Sequence, residues 1–230
     1  MATKSILING VPFTYEDEKE DITYENIKPI SEEDARCLLD TTKRLFNQCG
    51  LSFVLAYGTL LGAIRDHGLI KGDTDVDVYV DSEEKLRQSL PFLQENGLRL
   101  CRIYENALYS FRLNDRSFID VYIHRNVPDG IWGKWYDIIE FEVIPKSYLR
   151  EVVTYDFLGG TYLIPKEYIK LLRHWYGNTW RTPIPNYYDN STLVYYSWWK
   201  QNKWKGCLKL YSPKLFDWLL NIKTAIIHNH

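Results

Sequence analysis

The sequence predicts an α+β fold in which a mixed β-sheet is flanked by helices. Capped helical patterns alternate with short β-branched segments, and three strand patterns follow one another between residues 98 and 124. At 230 residues the chain is long enough to bury a substantial core. We divide it into a loosely packed N-terminal arm at 1–30, a central domain at 31–190, and a basic, tryptophan-rich helical tail at 191–230 that packs on this domain.

The elements of the first half are marked by caps and by residue type. Ser31 is the expected N-cap of a helix whose first turn is acidic, and Gly50 ends that helix. The Asp81-Ser82 pair caps another helix that continues to about residue 95. Strands are predicted at 52–57 and 76–80, with a short helix at 59–65 between them.

The second half reads mainly as strands. Predicted strands cover 98–104, 108–113, 117–124 and 140–144, and Gly159-Gly160 joins a hairpin formed by 151–157 and 161–164. Pro165 begins a helix that Gly177 ends. An irregular excursion is expected at 130–136, and a tail helix at about 213–227.

Composition excludes several classes of protein. The net charge is −2, which argues against nucleic acid as a partner. The four cysteines show no C-x-x-C spacing, so neither a disulfide framework nor structural zinc is expected. The N-terminus lacks a signal-peptide pattern, and no apolar run approaches the length of a spanning helix. We therefore expect a cytoplasmic protein.

The sequence 57–65, YGTLLGAIR, and the acidic strand that follows it are the most informative features. Side chains two apart on a strand point the same way, so Asp75 and Asp77 present carboxylates on one face, with Asp73 just before them. Clustered carboxylates repel one another unless a cation lies between them. Mg²⁺, with Mn²⁺ as an alternative, suits such a site, and Asp120 in a neighbouring strand offers a third ligand.

The same acids allow other interpretations. Their spacing from Asp73 imitates a calcium-binding loop, but Val78 occupies the position where that loop needs glycine. A solvated acidic edge strand is the plainer alternative. The glycine turn upstream favours the metal site instead, because Gly58 lets the backbone approach a phosphate and Thr59 offers donors to an anion. Arg65 could clamp a phosphate or form a surface ion pair, and His67 could reach a phosphate from its loop.

These segments resemble the LicD/fukutin-type phosphotransferase family, whose motif reads G-T-L-L-G-x-x-R followed by D-D-D-I-D. The matching residues are 58–65 and 73–77, with departures at Gly72 and Thr74. Residues 119–121 resemble the family's further acidic strand, and 171–183 its closing helix with Y-G, W and P. The resemblance covers roughly residues 45–185.

The resemblance implies a nucleotidyltransferase-like fold and transfer of a phospho-alcohol from a CDP- or CMP-linked donor to a glycan hydroxyl. Asp75 and Asp77 would hold Mg²⁺, and Asp120 would complete the metal site or accept the proton of the attacking hydroxyl. The donor phosphates would lie against a set of residues at the glycine turn, which comprises Gly58, Thr59 and Arg65, with Asp73 at its rim.

Two alternatives from other classes stay open. One is a nucleotidyltransferase that moves NMP from an NTP, and the other is a non-catalytic glycan- or nucleotide-binding module.

Residues 198–230 combine six lysines with four tryptophans and a single acid. A packed helix with a solvated lysine face is the favoured interpretation of this end, and peripheral contact with the inner face of a membrane that carries a lipid-linked glycan is the other.

Overall fold

The computed structural model describes residues 2–18, 28–104, 106–115, 117–126, 136–140 and 142–183. Five helices lie in these ranges: α1 (Glu32–Gln48), α2 (Tyr57–Arg65), α3 (Glu83–Glu95), α4 (Lys146–Leu149) and α5 (Tyr168–Tyr176). The strands are β1 (Ala2–Ile8), β2 (Val11–Asp17), β3 (Val54–Leu55), β4 (Val76–Val80), β5 (Arg99–Tyr104), β6 (Leu108–Asn114), β7 (Ser117–Arg125), β8 (Tyr136–Ile139), β9 (Glu142–Pro145), β10 (Val152–Phe157) and β11 (Gly160–Pro165).

A mixed sheet organises the chain, as the sequence predicts. Its strand order is β10-β11-β3-β4-β7-β6-β5, and β8 and β9 continue from the end of β7. The two central strands, β4 and β7, are parallel; β6 pairs with β7 in the antiparallel direction, and β5 pairs with β6 in the antiparallel direction. All five residues of β4 are buried. Because successive side chains of a strand point to opposite faces of the sheet, Val76, Val78 and Val80 enter the core on one face and Asp77 lies on the other.

Local capping explains the helices on the sheet. The backbone N–H of Asp34 donates to Ser31 Oγ at 3.0 Å at the start of α1, and that of Lys85 donates to Ser82 Oγ at 3.2 Å at the start of α3. The apolar side of α1, which includes Leu38, Leu39, Leu45 and Phe46, is completely buried. Both caps confirm the sequence-based predictions.

The expectation of a loosely packed N-terminal arm is wrong for residues 2–17, which form a β-hairpin. Asn9 and Gly10 both have positive φ (51° and 81°), which is the geometry of a two-residue hairpin turn. Phe13 and Tyr15 lie at alternate positions of β2 and are buried against the core. The backbone N–H of Glu18 also donates to Cys101 O at 2.8 Å, which links the hairpin to β5.

Other element boundaries also differ from the predictions. The strand expected at 52–57 is only β3, and the strand expected at 140–144 begins two residues later as β9. Pro165 ends β11, and the helix expected there begins at Tyr168. The excursion expected at 130–136 lies outside the described residues except for Tyr136, which begins β8, and the tail expected at 191–230 lies wholly outside them. None of the helices in the described ranges has the length and apolar character needed to span a bilayer.

Candidate active site

Three carboxylates meet at the centre of the sheet. Asp77 of β4 lies directly opposite Asp120 of β7 in the parallel register, and Asp75 stands immediately before β4. One oxygen from each of the three side chains lies within 4.8 Å of the other two. Asp77 and Asp120 are only 7% and 3% exposed. The structure therefore brings together the three carboxylates that the sequence predicts as metal ligands.

The electrostatics of this acidic cluster favour a cation. Burial and the neighbouring charges of Asp77, Asp120 and Asp73 raise the pKa of Asp75 well above its usual value, although Arg102 opposes the shift. Burial and nearby carboxylates also raise the pKa of Asp77, while the backbone N–H groups of Gly58 and Thr59 lower it. Three carboxylates that repel one another, two of them buried and Asp75 half-buried, are a ligand set that suits a hard divalent cation. These residues fit Mg²⁺ or Mn²⁺.

The glycine turn supports the cluster from one side. The backbone N–H of Gly58 donates to Asp77 Oδ2 at 3.0 Å, and Thr59 Oγ1 accepts a hydrogen bond from the backbone N–H of Asp77 at 2.8 Å. A Cβ at position 58 would lie 3.0 Å from Asp77 Oδ2 and 3.2 Å from Asp73 Oδ2. Glycine is thus needed here because the backbone approaches two carboxylates. The contribution of Gly58 and Thr59 to phosphate binding stays a prediction.

Asp73 lies deeper than the rim position expected from the sequence. It is 3% exposed, and its charge raises the pKa of both Asp75 and Asp77. Its backbone is fixed on both sides: its N–H donates to Ile70 O at 3.0 Å, and its carbonyl accepts from Ile30 N at 2.8 Å. Asp73 is therefore a fourth carboxylate that lies beside the acidic cluster of Asp75, Asp77 and Asp120.

Arg65 and His67 lie at the opposite end of α2 from the cluster. Gly58 and Arg65 are separated by seven residues of helix, or about 10 Å along its axis. Arg65 Nε and Nη2 donate to the two carboxylate oxygens of Asp66 at 2.9 and 2.7 Å. His67 occupies the exposed turn that follows, with a φ of 54°. The structure therefore pairs Arg65 with Asp66 and does not bring either residue to the carboxylates.

An aromatic stack, consisting of Tyr57, Tyr122 and Trp175, joins α2, β7 and α5 beside the cluster. The Tyr57 ring lies 4.4 Å from the Trp175 ring and 4.5 Å from the Tyr122 ring, measured between centroids. Tyr122 Oη donates to Asp77 Oδ1 at 3.3 Å. Tyr57 has a φ of 36°, an uncommon backbone conformation that often marks a functional site. Through Trp175 and Tyr57 the stack connects α5 to the glycine turn at the start of α2.

Sequence reasoning missed the aromatic stack and two polar residues that contact Asp120, namely Arg102 and Ser110. Arg102 Nη2 donates to both oxygens of Asp120 at 3.1 and 2.9 Å. The register of three strands brings these residues together, and no local pattern marks them. For Tyr57 alone a signal was available, since it directly precedes the glycine of the motif.

Taken together, the mixed sheet, the glycine turn and the carboxylates on two parallel strands define a nucleotidyltransferase-like protein. Residues 50–167 match the family model described as LicD/FKTN/FKRP, nucleotidyltransferase domain. This chain belongs to that family, which confirms the resemblance inferred from the motifs.

Several relatives agree with this assignment. The chain is 24% identical over 198 residues to the human protein named ribitol-5-phosphate transferase FKTN, an alignment that covers 77% of this chain and 40% of the human one. It is 30% identical over 88 residues to an uncharacterised protein of Rickettsia prowazekii, covering 37% of this chain and 31% of that one. This chain therefore aligns with less than half of each of these two relatives.

A solved structure was also found. It is the lincosamide antibiotic adenylyltransferase LnuA with lincomycin bound, at 13% identity and a TM-score of 0.40, covering 64% of this chain and 87% of that one.

Proposed function

We propose that this protein is a Mg²⁺-dependent transferase that moves a phospho-alcohol from a CDP- or CMP-activated donor to a hydroxyl of a cell-surface glycan and releases CMP. The observation that carries the proposal is the acidic cluster of Asp75, Asp77 and Asp120 beside the turn at Gly58. Family membership supports the reaction class, because the human relative is named as a transferase of ribitol 5-phosphate.

In this proposal Asp75, Asp77 and Asp120 would hold the Mg²⁺. When bound, the ion neutralises charge on the non-bridging and leaving oxygens of the diphosphate. The acceptor oxygen would form a bond to the distal phosphorus while the bond from that phosphorus to the CMP oxygen breaks, and the proton of the acceptor hydroxyl would pass to solvent water. The backbone N–H of Gly58 holds the Asp77 carboxylate in place through its 3.0 Å hydrogen bond to Oδ2. Preorganised carboxylates of this kind need little rearrangement during the reaction.

The residues that we propose as donor-phosphate contacts are two of those that the motif predicts, Gly58 and Thr59. Gly58 and Thr59 lie at the start of α2, where the helix dipole favours an anion, and the backbone N–H of Gly58 already donates to the carboxylate of Asp77. A contact from Arg65 would require its ion pair with Asp66 to open. His67 would have to reach the site from the far end of α2. We therefore propose Gly58 and Thr59 as the main phosphate contacts.

The transferred group is best sought by a donor panel. The purified full chain with Mg²⁺ is incubated with CDP-ribitol, CDP-glycerol, CDP-choline, CDP-ethanolamine, a CMP-linked phosphonate and the four NTPs, each with a glycan acceptor, and CMP and pyrophosphate are measured. We expect CMP release from one CDP-alcohol, with CDP-ribitol tested first because of the human relative's name. Pyrophosphate from an NTP would instead indicate NMP transfer. Binding without turnover of any donor would indicate a non-catalytic module.

A matched pair of variants ties the turnover to the acidic cluster. Asp75→Asn should remove activity, whereas Asp115→Asn should leave it unchanged, because Asp115 is a surface carboxylate whose partner is Arg99. Equal activity of the two variants would contradict the assignment.

We also propose that the protein works in the cytoplasm; peripheral contact of residues 198–230 with the inner face of a membrane that carries a lipid-linked acceptor is the alternative to be tested. The lysine- and tryptophan-rich sequence of this segment supports the idea. Sedimentation with anionic and with neutral vesicles, for the full chain and for a chain ending at residue 197, tests it. Equal sedimentation of the two chains would contradict the contact.

A further inference from the structure

A row of polar residues crosses four adjacent strands of the sheet. Arg102 of β5 is paired with Ser110 of β6, Ser110 is paired with Asp120 of β7, and Asp120 is paired with Asp77 of β4. The proposed metal site therefore has a continuation on the side away from the glycine turn. This polar row, Arg102-Ser110-Asp120, links the outermost of these strands to the acidic cluster.

The shapes of the side chains allow the row to close. Strands lie about 4.8 Å apart, so the Cα atoms of Arg102 and Asp120 are separated by two spacings, or about 9.5 Å. Only a long side chain can cover that distance, and the residue it passes over must be small, as Ser110 is. A register shift between Leu100 and Arg102 interrupts the β5–β6 pairing at this point. Such irregularities re-aim side chains in strands.

The hydrogen bonds hold the Asp120 carboxylate at several points. Arg102 Nη2 donates to Oδ1 at 3.1 Å and to Oδ2 at 2.9 Å, and the Ser110 hydroxyl also donates to Oδ1. Arg102 Nε donates to Ser110 Oγ at 2.9 Å, so the two holding residues also fix each other. Each carboxylate oxygen has two lone pairs. Oδ1 therefore has both of its lone pairs engaged, and Oδ2 has one left.

We propose that Arg102 and Ser110 are positioning residues that hold Asp120 as a metal ligand through the single oxygen Oδ2. The inference rests on the proposed function, because it assumes a metal at Asp75, Asp77 and Asp120. It assigns Asp120 one of its two expected roles, that of ligand. The proton of the attacking hydroxyl then passes to solvent water instead of to Asp120.

Arg112 provides a matched control. The side chains of Arg102 and Arg112 are 14% and 15% exposed, and both guanidinium groups lie over the Phe118 ring, at 5.9 and 5.4 Å from its centroid. Arg112 donates to Glu18 at 2.6 Å instead of to Asp120. Arg102→Lys and Arg112→Lys therefore make the same chemical change at similar burial, and only the first touches the polar row.

The test measures the affinity of the purified full chain for Mn²⁺ in the absence of donor. Binding is monitored through the electron paramagnetic resonance signal of free Mn²⁺. Asp75→Asn defines the signal of a lost metal site. We expect Arg102→Lys to bind Mn²⁺ about 10- to 100-fold more weakly than the wild type, because residues that orient a ligand typically have effects of this size. Arg112→Lys should bind it with unchanged affinity. Unfolding midpoints of both variants show whether either is misfolded.

Two further outcomes keep the inference separate from the proposed function. If the wild type binds Mn²⁺ and Asp75→Asn does not, but Arg102→Lys binds like the wild type, the positioning role is wrong and the metal site stands. If the wild type itself binds no Mn²⁺, the metal site is wrong and the positioning role falls with it. Should Arg102→Lys not fold, Ser110→Ala decides: about a three- to tenfold weaker affinity supports the role, and unchanged affinity overturns it.

Discussion

Strand β7 carries two buried titratable residues only four positions apart, Asp120 and His124. The clusters around these two residues differ in how their charges are balanced. The acidic cluster at Asp120 brings several carboxylates together, and Arg102 forms an ion pair with one of them, Asp120. The histidine cluster at His124 pairs the two ring nitrogens with Asp81 Oδ1 at 2.7 Å and Asp137 Oδ2 at 3.1 Å. Lys146 adds a further cation, 3.5 Å from Asp137 Oδ1.

The pKa shifts express the same contrast. Burial lowers the pKa of His124, but hydrogen bonds to Asp137 and Asp81 outweigh it and raise the value to about 9. His124 is therefore charged at neutral pH, and its cluster is compensated. In the acidic cluster, burial and mutual repulsion disfavour the charged form. Removing one partner from a compensated cluster destabilises the fold, whereas an uncompensated cluster is better suited to binding a cation.

The largest expected effect follows from changing Asp77 to Asn. Turnover should fall by more than about a hundredfold, since a direct ligand matters more than the groups that orient it. Folding should be retained, because the amide oxygen can still accept from Gly58 and the change removes a repelling charge. CMP release and thermal unfolding without metal measure the two effects. Turnover within tenfold of the wild type would show that the cluster is not the active site.

His124→Ala should destabilise the fold by about 3 kcal/mol at pH 6, because it leaves the buried Asp137 without one of its partners. The folded pKa of about 9 exceeds the ordinary value of 6.5, so the stabilisation is complete below pH 6.5 and is lost as the pH rises through 9. The pH-dependent part should be about 2–3 kcal/mol, reduced from the full shift because Asp81 is exposed.

Urea unfolding of the wild type and of His124→Ala at pH 6, 8 and 10 measures this difference. His67→Asn is the matched control, since His67 is exposed and Asn tolerates its positive φ. A difference that stays constant from pH 6 to pH 10 would mean that the histidine cluster is not an ionic one.

Adding metal should separate the two clusters. Mn²⁺ at a hundredfold excess over its Kd should stabilise the wild type by about 2.7 kcal/mol, provided that the unfolded chain does not bind it. Asp77→Asn should lose this increment. His124→Ala should keep it, because independent sites contribute additively. An increment that disappears in His124→Ala would show that the two clusters are coupled along β7.

The smallest effect is expected for Tyr122→Phe. Tyr122 donates to Asp77 Oδ1 over a long distance of 3.3 Å, and burial raises its pKa, so its hydroxyl stays protonated. Losing one such hydrogen bond should cost about 1 kcal/mol or less in the free energy of unfolding. Turnover should drop by less than about tenfold. Chemical denaturation and CMP release measure both, and a loss as large as that of Asp77→Asn would make Tyr122 part of the catalytic machinery.

Much of the fold was predictable because its signals are local. The caps at Ser31 and Ser82 and the β-branched run of β4 place their elements within a residue or two. The N-terminal hairpin was missed although Asn9-Gly10 is a strong turn signal, because the acidic residues that follow it suggested an unstructured arm. The short β3 was overestimated, since its pairing is limited by its neighbours in the sheet.

The sequence by itself determined which residues form the candidate site: the glycine turn at Gly58 and the carboxylates Asp75, Asp77 and Asp120, because spacing along one strand and a family motif are local properties of a chain. The tertiary structure decided which groups surround them. It placed Asp120 opposite Asp77, brought Arg102 across two strands to hold it, and left Arg65 with Asp66. Strand register and helix direction set these contacts, and both depend on how the whole sheet packs.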